Sequence, residues 1–239
     1  MLYFLGHPVE IVRRARRRTL TIKVQESSLR VLTNQQVKTD QILAFLNSKE
    51  NWIAKHLNQI KIRQTQFPKP TLQNGSHYPW LGERKYFQFA ESKKQKVQFK
   101  IEDGFLICYV AQALQSSSTE IQRQLIKFYK TQAMQYLETR VSYWSDVTGL
   151  YPNQLQFRSP RSRWGSCSSQ KHISLNWKLI CQSPALIDYV IVHELCHLQH
   201  LNHSTQFWNL VESHLPDYQV IEKVLQDQVY LGNFLDHPK

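Results

Sequence analysis

No stretch of this 239-residue sequence approaches the roughly 18 to 20 consecutive apolar residues that cross a bilayer. Its apolar runs, such as Tyr189-Val190-Ile191-Val192, are short, and charged residues recur throughout, so no membrane-spanning helix is expected. Paired cysteines are missing too. Cys108, Cys167, Cys181 and Cys196 stand singly, without C-x-x-C spacing or the dense framework of small secreted domains, which leaves reduced thiols as the default. The opening Met1-Leu2-Tyr3-Phe4-Leu5 is too short for a secretory leader and precedes the basic cluster instead of following it, so a cytoplasmic location is expected. The sequence also lacks internal repeats, long low-complexity tracts, a phosphate-binding glycine loop and a cluster of acidic residues suited to a metal.

Apolar residues and positive charge are what it has. Hydrophobic residues make up 41% and aromatics 12%, enough for one large core or two modest ones. The net charge of +12 is concentrated: residues 1–70 hold 13 Lys and Arg against 4 Asp and Glu, a net of +9, and the remainder holds 17 against 14, or +3. Any preference for polyanions therefore belongs to the N-terminal third. Its densest part is Arg13-Arg14-Ala15-Arg16-Arg17-Arg18. Such a run is ordinarily a solvated strand edge or turn. The sharper reading is contact of Arg13, Arg14, Arg16, Arg17 and Arg18 with nucleic acid, nucleotide phosphate or an acidic partner, since the guanidinium fork suits phosphate.

Alternation of apolar and polar residues predicts strands at 9–12, 20–24 and 29–32 of a small antiparallel sheet. Apolar residues at three- and four-residue steps from Ile42 to Ile60 predict a helix over about 40–63, and breaker residues make 64–79 a connection. Further strands are predicted at 85–89, 97–101 and 105–110, then a long amphipathic helix over 119–144. Strands at 155–158 and 173–177 flank a turn-rich segment from Ser162 to Ser169. Ser183-Pro184 then opens another helix as N-cap and first residue. The expected organisation is a basic N-terminal α+β region, 1–110, followed by a second region, 111–239.

The second region carries His193-Glu194-Leu195-Cys196-His197. Residues four apart on a helix lie about 40° apart around the axis and about 6 Å apart along it, so both imidazoles face a shared point where one ion can bridge them. Zinc takes nitrogen ligands at about 2.0 to 2.1 Å in a tetrahedron, and a catalytic site keeps one position for water beside three protein ligands. Glu194 is poorly placed as a ligand but well placed to reach that water, which makes it the natural general base of a metal-dependent hydrolase. Four residues compete for third ligand. His200 shares the face of His193 but lies about 10.5 Å further along an unbroken helix. His203 follows Asn202, which can adopt the left-handed conformation that ends a helix and lets the chain turn back. Glu212, on a following helix capped by Ser204, would suit a two-His-one-Glu site, and His214 is the remaining option.

Other residues near the motif have modest readings. The strand 173–177 precedes the motif helix and could pair with an extended substrate through its backbone, or be an ordinary core strand. Arg163, Trp164 and Ser166 could orient substrate or simply pack a tight turn. Cys167 and Cys196 read as small buried hydrophobes, and Asp188 as a helix N-terminal carboxylate or an acceptor behind a ligand.

Taken together, Ser162-Arg163-Trp164-Gly165-Ser166-Cys167, Ile173-Ser174-Leu175-Asn176-Trp177, Asp188-Tyr189-Val190, the motif itself, Asn202-His203-Ser204-Thr205-Gln206-Phe207-Trp208 and Leu215-Pro216-Asp217-Tyr218 resemble the YgjP-like metallopeptidase family. Val12-Arg13-Arg14, Arg18-Thr19-Leu20 and Trp52-Ile53 look like that family's opening segment, and the resemblance is weakest over 64–118. It implies a zincin-like catalytic core related to SprT-like and WLM proteases, Zn2+ held by His193, His197 and His203, Glu194 as catalytic base, and a peptide or protein substrate. The histidine spacing equals that of metzincins, but their glycine three residues after the second histidine is His200 here, so the turn must be built by Leu201 and Asn202. Two other functions are open on the residues alone: a metal-dependent nucleotide phosphohydrolase (pyrophosphatase) using the arginine run, and a nucleic-acid-associated module with a structural zinc. The intact Glu194 argues against the latter.

Overall fold

The computed structural model describes residues 2–25, 27–66, 69–94, 96–160, 163–227 and 232–236. It is α+β throughout, and the chain folds as two compact units, 1–69 and 70–239.

In the first unit, β1 (Leu2–Phe4), β2 (His7–Arg13), β3 (Thr21–Val24) and β4 (Leu29–Thr33) form a sheet of order β1-β2-β4-β3. The outer pairs are antiparallel, but β2 and β4 run parallel from Val9↔Leu29 to Arg13↔Thr33, so the expected antiparallel sheet is in fact mixed. Alternation reports which face of a strand is buried and says nothing of its direction. Val9, Leu29 and Val31 from the sheet pack with Ile42, Leu46 and Ile53. Those last three come from two helices, α1 (Thr39–Ser48) and α2 (Glu50–Gln66), where one was expected. The break is at Lys49, whose backbone (φ −115, ψ 12) leaves the helical region while its N–H closes on the carbonyls of Leu46 and Asn47.

The second unit repeats that sheet design. β5 (His77–Trp80), β6 (Glu83–Glu91), β7 (Gln98–Glu102) and β8 (Phe105–Val110) take the order β5-β6-β8-β7, again with a parallel central pair between antiparallel outer ones. Each sheet opens with a Leu-Gly turn at positive φ, Leu5-Gly6 at 48° and 75° and Leu81-Gly82 at 49° and 80°. The sequence shows no repeat because turn chemistry and alternation, not residue identity, carry this topology. The second turn is pinned: Leu81 N–H donates to the Ile180 carbonyl at 2.7 Å, and a Cβ on Gly82 would lie 2.8 Å from the Cα of Ser183.

After β8 comes α3 (Ser118–Thr148), ended by Gly149 at φ 70. A three-stranded sheet follows, β9 (Gln154–Arg158), β10 (Gly165–Cys167) and β11 (His172–Asn176), in the order β10-β11-β9. A 3-10 segment, Trp177–Cys181, leads into α4 (Pro184–Cys196), then α5 (Thr205–His214) and α6 (Tyr218–Asp227). One core joins Phe87 and Leu106 of the four-stranded sheet to Tyr129 and Leu137 of α3, Ile187, Ile191 and Leu195 of α4, and Phe207 of α5. Residues 77–110, read above with the N-terminal region, therefore pack with the second unit. Arg140 of α3 makes a bidentate ion pair with Asp188 of α4 at 2.7 and 2.8 Å, so Asp188 ties two helices together. No helix among the described residues is long and apolar enough to cross a membrane.

Candidate metal centre

Ser183 and Pro184 start α4 as expected, and the helix is buried along most of its length. It stops at the second histidine. Leu198 N–H bonds the Leu195 carbonyl at 2.9 Å, Gln199 and His200 N–H both bond the Cys196 carbonyl at 3.1 and 3.0 Å, and the chain then runs without regular structure to Ser204. The Ser204 side chain accepts from Phe207 N–H and starts α5. Asn202 is not in the left-handed conformation expected of it: among described residues other than glycine, only Leu5, Leu81, Asp103 and Lys171 have positive φ. The tight turn at 195–200 achieves the reversal instead.

This path brings His203 back over α4. The ligand atoms of His193, His197 and His203 all lie within 4.8 Å of one another, and the two Nε2 atoms of His193 and His203 are 3.1 Å apart. Phe207 stacks on His197 (4.5 Å between centroids, 26°) and Trp208 on His203 (5.5 Å, 27°), with Tyr218 stacked behind Trp208, so aromatic faces fix the rings. Nδ1 of His197 lies 2.9 Å from the His200 carbonyl. A carbonyl can only accept, so Nδ1 carries the proton and Nε2 presents its lone pair. His200 thus serves through its backbone. Its side chain, Glu212 and His214 are not in the cluster, which is the one group of three or more potential ligands among the described residues.

The cluster fits a tetrahedral divalent ion. Nitrogens at about 2.0 to 2.1 Å from zinc sit about 3.3 Å from each other, close to the His193–His203 separation. Burial together with the neighbouring histidines pushes His193 down to about 3, and burial lowers His197, so these two imidazoles stay neutral with lone pairs available. The nearby cysteines do not join them. Burial pushes the Cys167 thiol up to about 11 and the Cys196 thiol up to about 12, away from the thiolate that binds metal.

Glu194 is 6% exposed and its Oε2 has no hydrogen-bond partner among the described residues. Burial pushes its carboxyl up to about 8, with the Arg163 charge acting in the opposite direction. The space it occupies is made by a glycine: a Cβ on Gly165 would fall 2.6 Å from Cγ and 2.7 Å from Cδ of Glu194. Gly165 heads β10, a strand read in the sequence as part of a turn. A lone glycine marks close backbone approach, a signal the sequence does carry. β11, considered above as a substrate strand, is paired on both edges; among the described residues β10 is paired only with β11, and Glu194 lies against its Gly165.

These two shifts have a consequence for the metal-free chain. The raised Glu194 stabilises the fold below about 4.5, and that contribution is lost as pH rises towards 8. The depressed His193 acts oppositely, its contribution being present above 6.5 and lost as pH falls towards 3. Above pH 6.5, only the Glu194 effect remains of the two. Thermal unfolding of metal-free protein should therefore show wild type losing stability between about pH 6 and about pH 8.5, with Glu194→Gln losing less. Parallel curves for the two proteins would contradict the assignment.

Of the five clustered arginines, two are held by acceptors within the first unit. Arg13 donates to the carbonyls of Asn34, Gln35 and Val37, and Arg17 to Thr19 O and Thr21 Oγ1. Arg14, Arg16 and Arg18 are exposed. Ser162 of the turn-rich segment lies outside the described residues.

Among known proteins, the family described as YgjP-like, metallopeptidase domain, matches residues 18–228. No curated protein matches. Among solved structures, the chain is similar to the metallopeptidase zymogen of Pyrococcus abyssi abylysin (22% identity, TM-score 0.35, covering 38% of this chain and 92% of that one). It is also similar to the zymogen of Methanocaldococcus jannaschii jannalysin (21%, TM-score 0.34, 38% and 94%). The family match takes in the parallel-paired strands of the second unit, the glycine-seated glutamate and all three converging histidines, and on its extent this chain belongs to the YgjP-like metallopeptidase-domain family.

Proposed function

We propose that the chain is a zinc-dependent peptidase in which His193, His197 and His203 hold the metal and Glu194 is the general base. The observation that carries this reading is the convergence of three imidazoles beside a buried carboxyl whose Oε2 has no hydrogen-bond partner among the described residues. When bound there, zinc would supply Lewis-acid polarisation of water and of a scissile carbonyl. The protein's own part is proton handling and alignment. Glu194 takes a proton from the attacking water and returns it to the departing amine, and its raised proton affinity suits both roles near neutral pH. Gly165 leaves room for the carboxyl, and the His200 carbonyl fixes the tautomer of His197. An extended peptide would add to the free edge of β10, whose backbone runs past Glu194.

Four cysteines without disulfides suit a reducing compartment such as the cytoplasm. The exposed Arg14, Arg16 and Arg18 are available to an anionic partner, nucleic acid included, outside the chemistry described. The ligand assignment is tested by His203→Ala, which should weaken zinc binding by at least about 100-fold, more than loss of an outer-shell partner costs, and remove peptide hydrolysis. Metal analysis after dialysis against a buffered zinc concentration reads this directly; a variant that keeps stoichiometric zinc would reject His203 as a ligand.

A further inference from the structure

The peptidase reading leaves one charged group at the site without a task. Arg163 is exposed, and its guanidinium has no hydrogen-bond or ion-pair acceptor among the described residues. Three other cations of the second unit, Arg140, Arg123 and Lys178, are matched by Asp188, Glu120 and Asp236. The placement of Arg163 is nevertheless built. Asn176, only 4% exposed, donates from Nδ2 to the carbonyls of Pro160 at 3.0 Å and Arg163 at 3.3 Å. Its Oδ1 accepts from Lys178 N–H at 3.1 Å, and its own N–H donates to the Trp164 carbonyl at 2.7 Å. That clamp fixes the backbone two residues before Gly165, the seat of Glu194.

We propose that Arg163 is a specificity-determining residue that receives a carboxylate of the substrate, so that peptides bearing a negative charge beside the scissile bond are preferred. A cation held at a site with no counter-ion of its own is completed by one from the ligand, and the planar guanidinium fork matches a carboxylate bidentately. The side chain is exposed and unbraced, unlike a group preorganised for charge that develops only in the transition state. Its contribution therefore falls on substrate binding, and so on KM. The carboxylate can come from an Asp or Glu side chain or from the peptide's C-terminus.

The proposal rests on the peptidase reading, and the test keeps the two apart. Zinc-loaded full-length wild type and Arg163→Gln are assayed on peptides matched except for charge: neutral with amidated ends, Asp- or Glu-containing with amidated ends, neutral with a free C-terminal carboxylate, and Lys-containing. The same peptides, fluorescently labelled, are bound to zinc-loaded Glu194→Gln and to Glu194→Gln/Arg163→Gln by anisotropy. Arg163→Gln should raise KM for one or both carboxylate-bearing peptides at least about tenfold, leaving kcat and the neutral amidated peptide within about twofold. The responding peptide identifies the source of the carboxylate. Arg163→Glu should shift the preference to the Lys-containing peptide, a change that a general folding defect does not produce. Selective binding without turnover would uphold Arg163 and reject the peptidase reading. Turnover or binding indifferent to peptide charge, a loss confined to kcat on all peptides, or no binding at all would overturn the proposal.

Discussion

Glu194→Gln should retain one zinc per chain and lose peptide hydrolysis by about 10²- to 10⁴-fold or more, the range that general acid–base catalysis contributes. Gln matches Glu in volume, so the space over Gly165 stays filled and α4 keeps its packing. All three imidazoles are untouched, and the His197 tautomer depends on the His200 carbonyl, not on residue 194. What changes is that an amide cannot accept a proton from water. Zinc content by elemental analysis and turnover by a discontinuous peptide assay separate the two effects. A variant that holds zinc and cleaves at the wild-type rate would show that the base lies elsewhere; one that loses zinc as well would mean that the carboxyl supports the metal.

Gly165→Ala tests the same carboxyl from the other side. Gly165 does not have positive φ, so alanine brings no backbone penalty, only a methyl group where Glu194 now lies. Neither side yields easily. β10 is registered to β11 through Gly165↔Leu175 and Cys167↔Ile173, and α4 is anchored in the core through Ile187, Ile191 and Leu195. The Glu194 side chain must move, and a displacement of about 1 Å at a reacting group costs about 10²-fold in rate. We expect kcat to fall by about that factor with zinc binding and secondary structure intact. The steric origin has its own signature. In a Glu194→Ala background the added methyl has room, so any destabilisation by Gly165→Ala should largely disappear in the double variant. Full activity in Gly165→Ala would mean that Glu194 does not act from the position described.

Helix α4 and the turn after it were legible residue by residue: Ser183-Pro184 as its start, His193 and His197 on one face, Ser204 as the next cap and His203 in the intervening turn. Each of these is a local rule of spacing or capping, and local rules survive folding. Non-local features were not readable. β5 and β10 were read as connection and turn because Pro79 and Gly165 interrupt any alternation, and a strand of three or four residues has too little of it. The parallel pairing of β2 with β4 depends on which strand lies beside which, and the core joining 77–110 to α3 and α4 depends on contacts across the chain. At the site itself, the sequence pointed to the side chains and missed the backbone. The His200 carbonyl and the bare Cα of Gly165 each position a functional side chain, and neither atom has a residue-type signature beyond a glycine that could equally have marked a turn. Asn202 was expected to turn the chain through a left-handed conformation; hydrogen bonds to the carbonyls of Leu195 and Cys196 did so with every residue of the turn at negative φ.

Titration of the metal-free full-length chain with zinc, following peptide hydrolysis and bound metal on the same samples, tests the central claim most directly. Hydrolysis should rise in proportion to bound zinc, reach its plateau at about one ion per chain, and stay at background throughout the same titration of Glu194→Gln. Hydrolysis of peptides by the metal-free chain, or a fully zinc-loaded wild type that cleaves none of a broad peptide library, would contradict it.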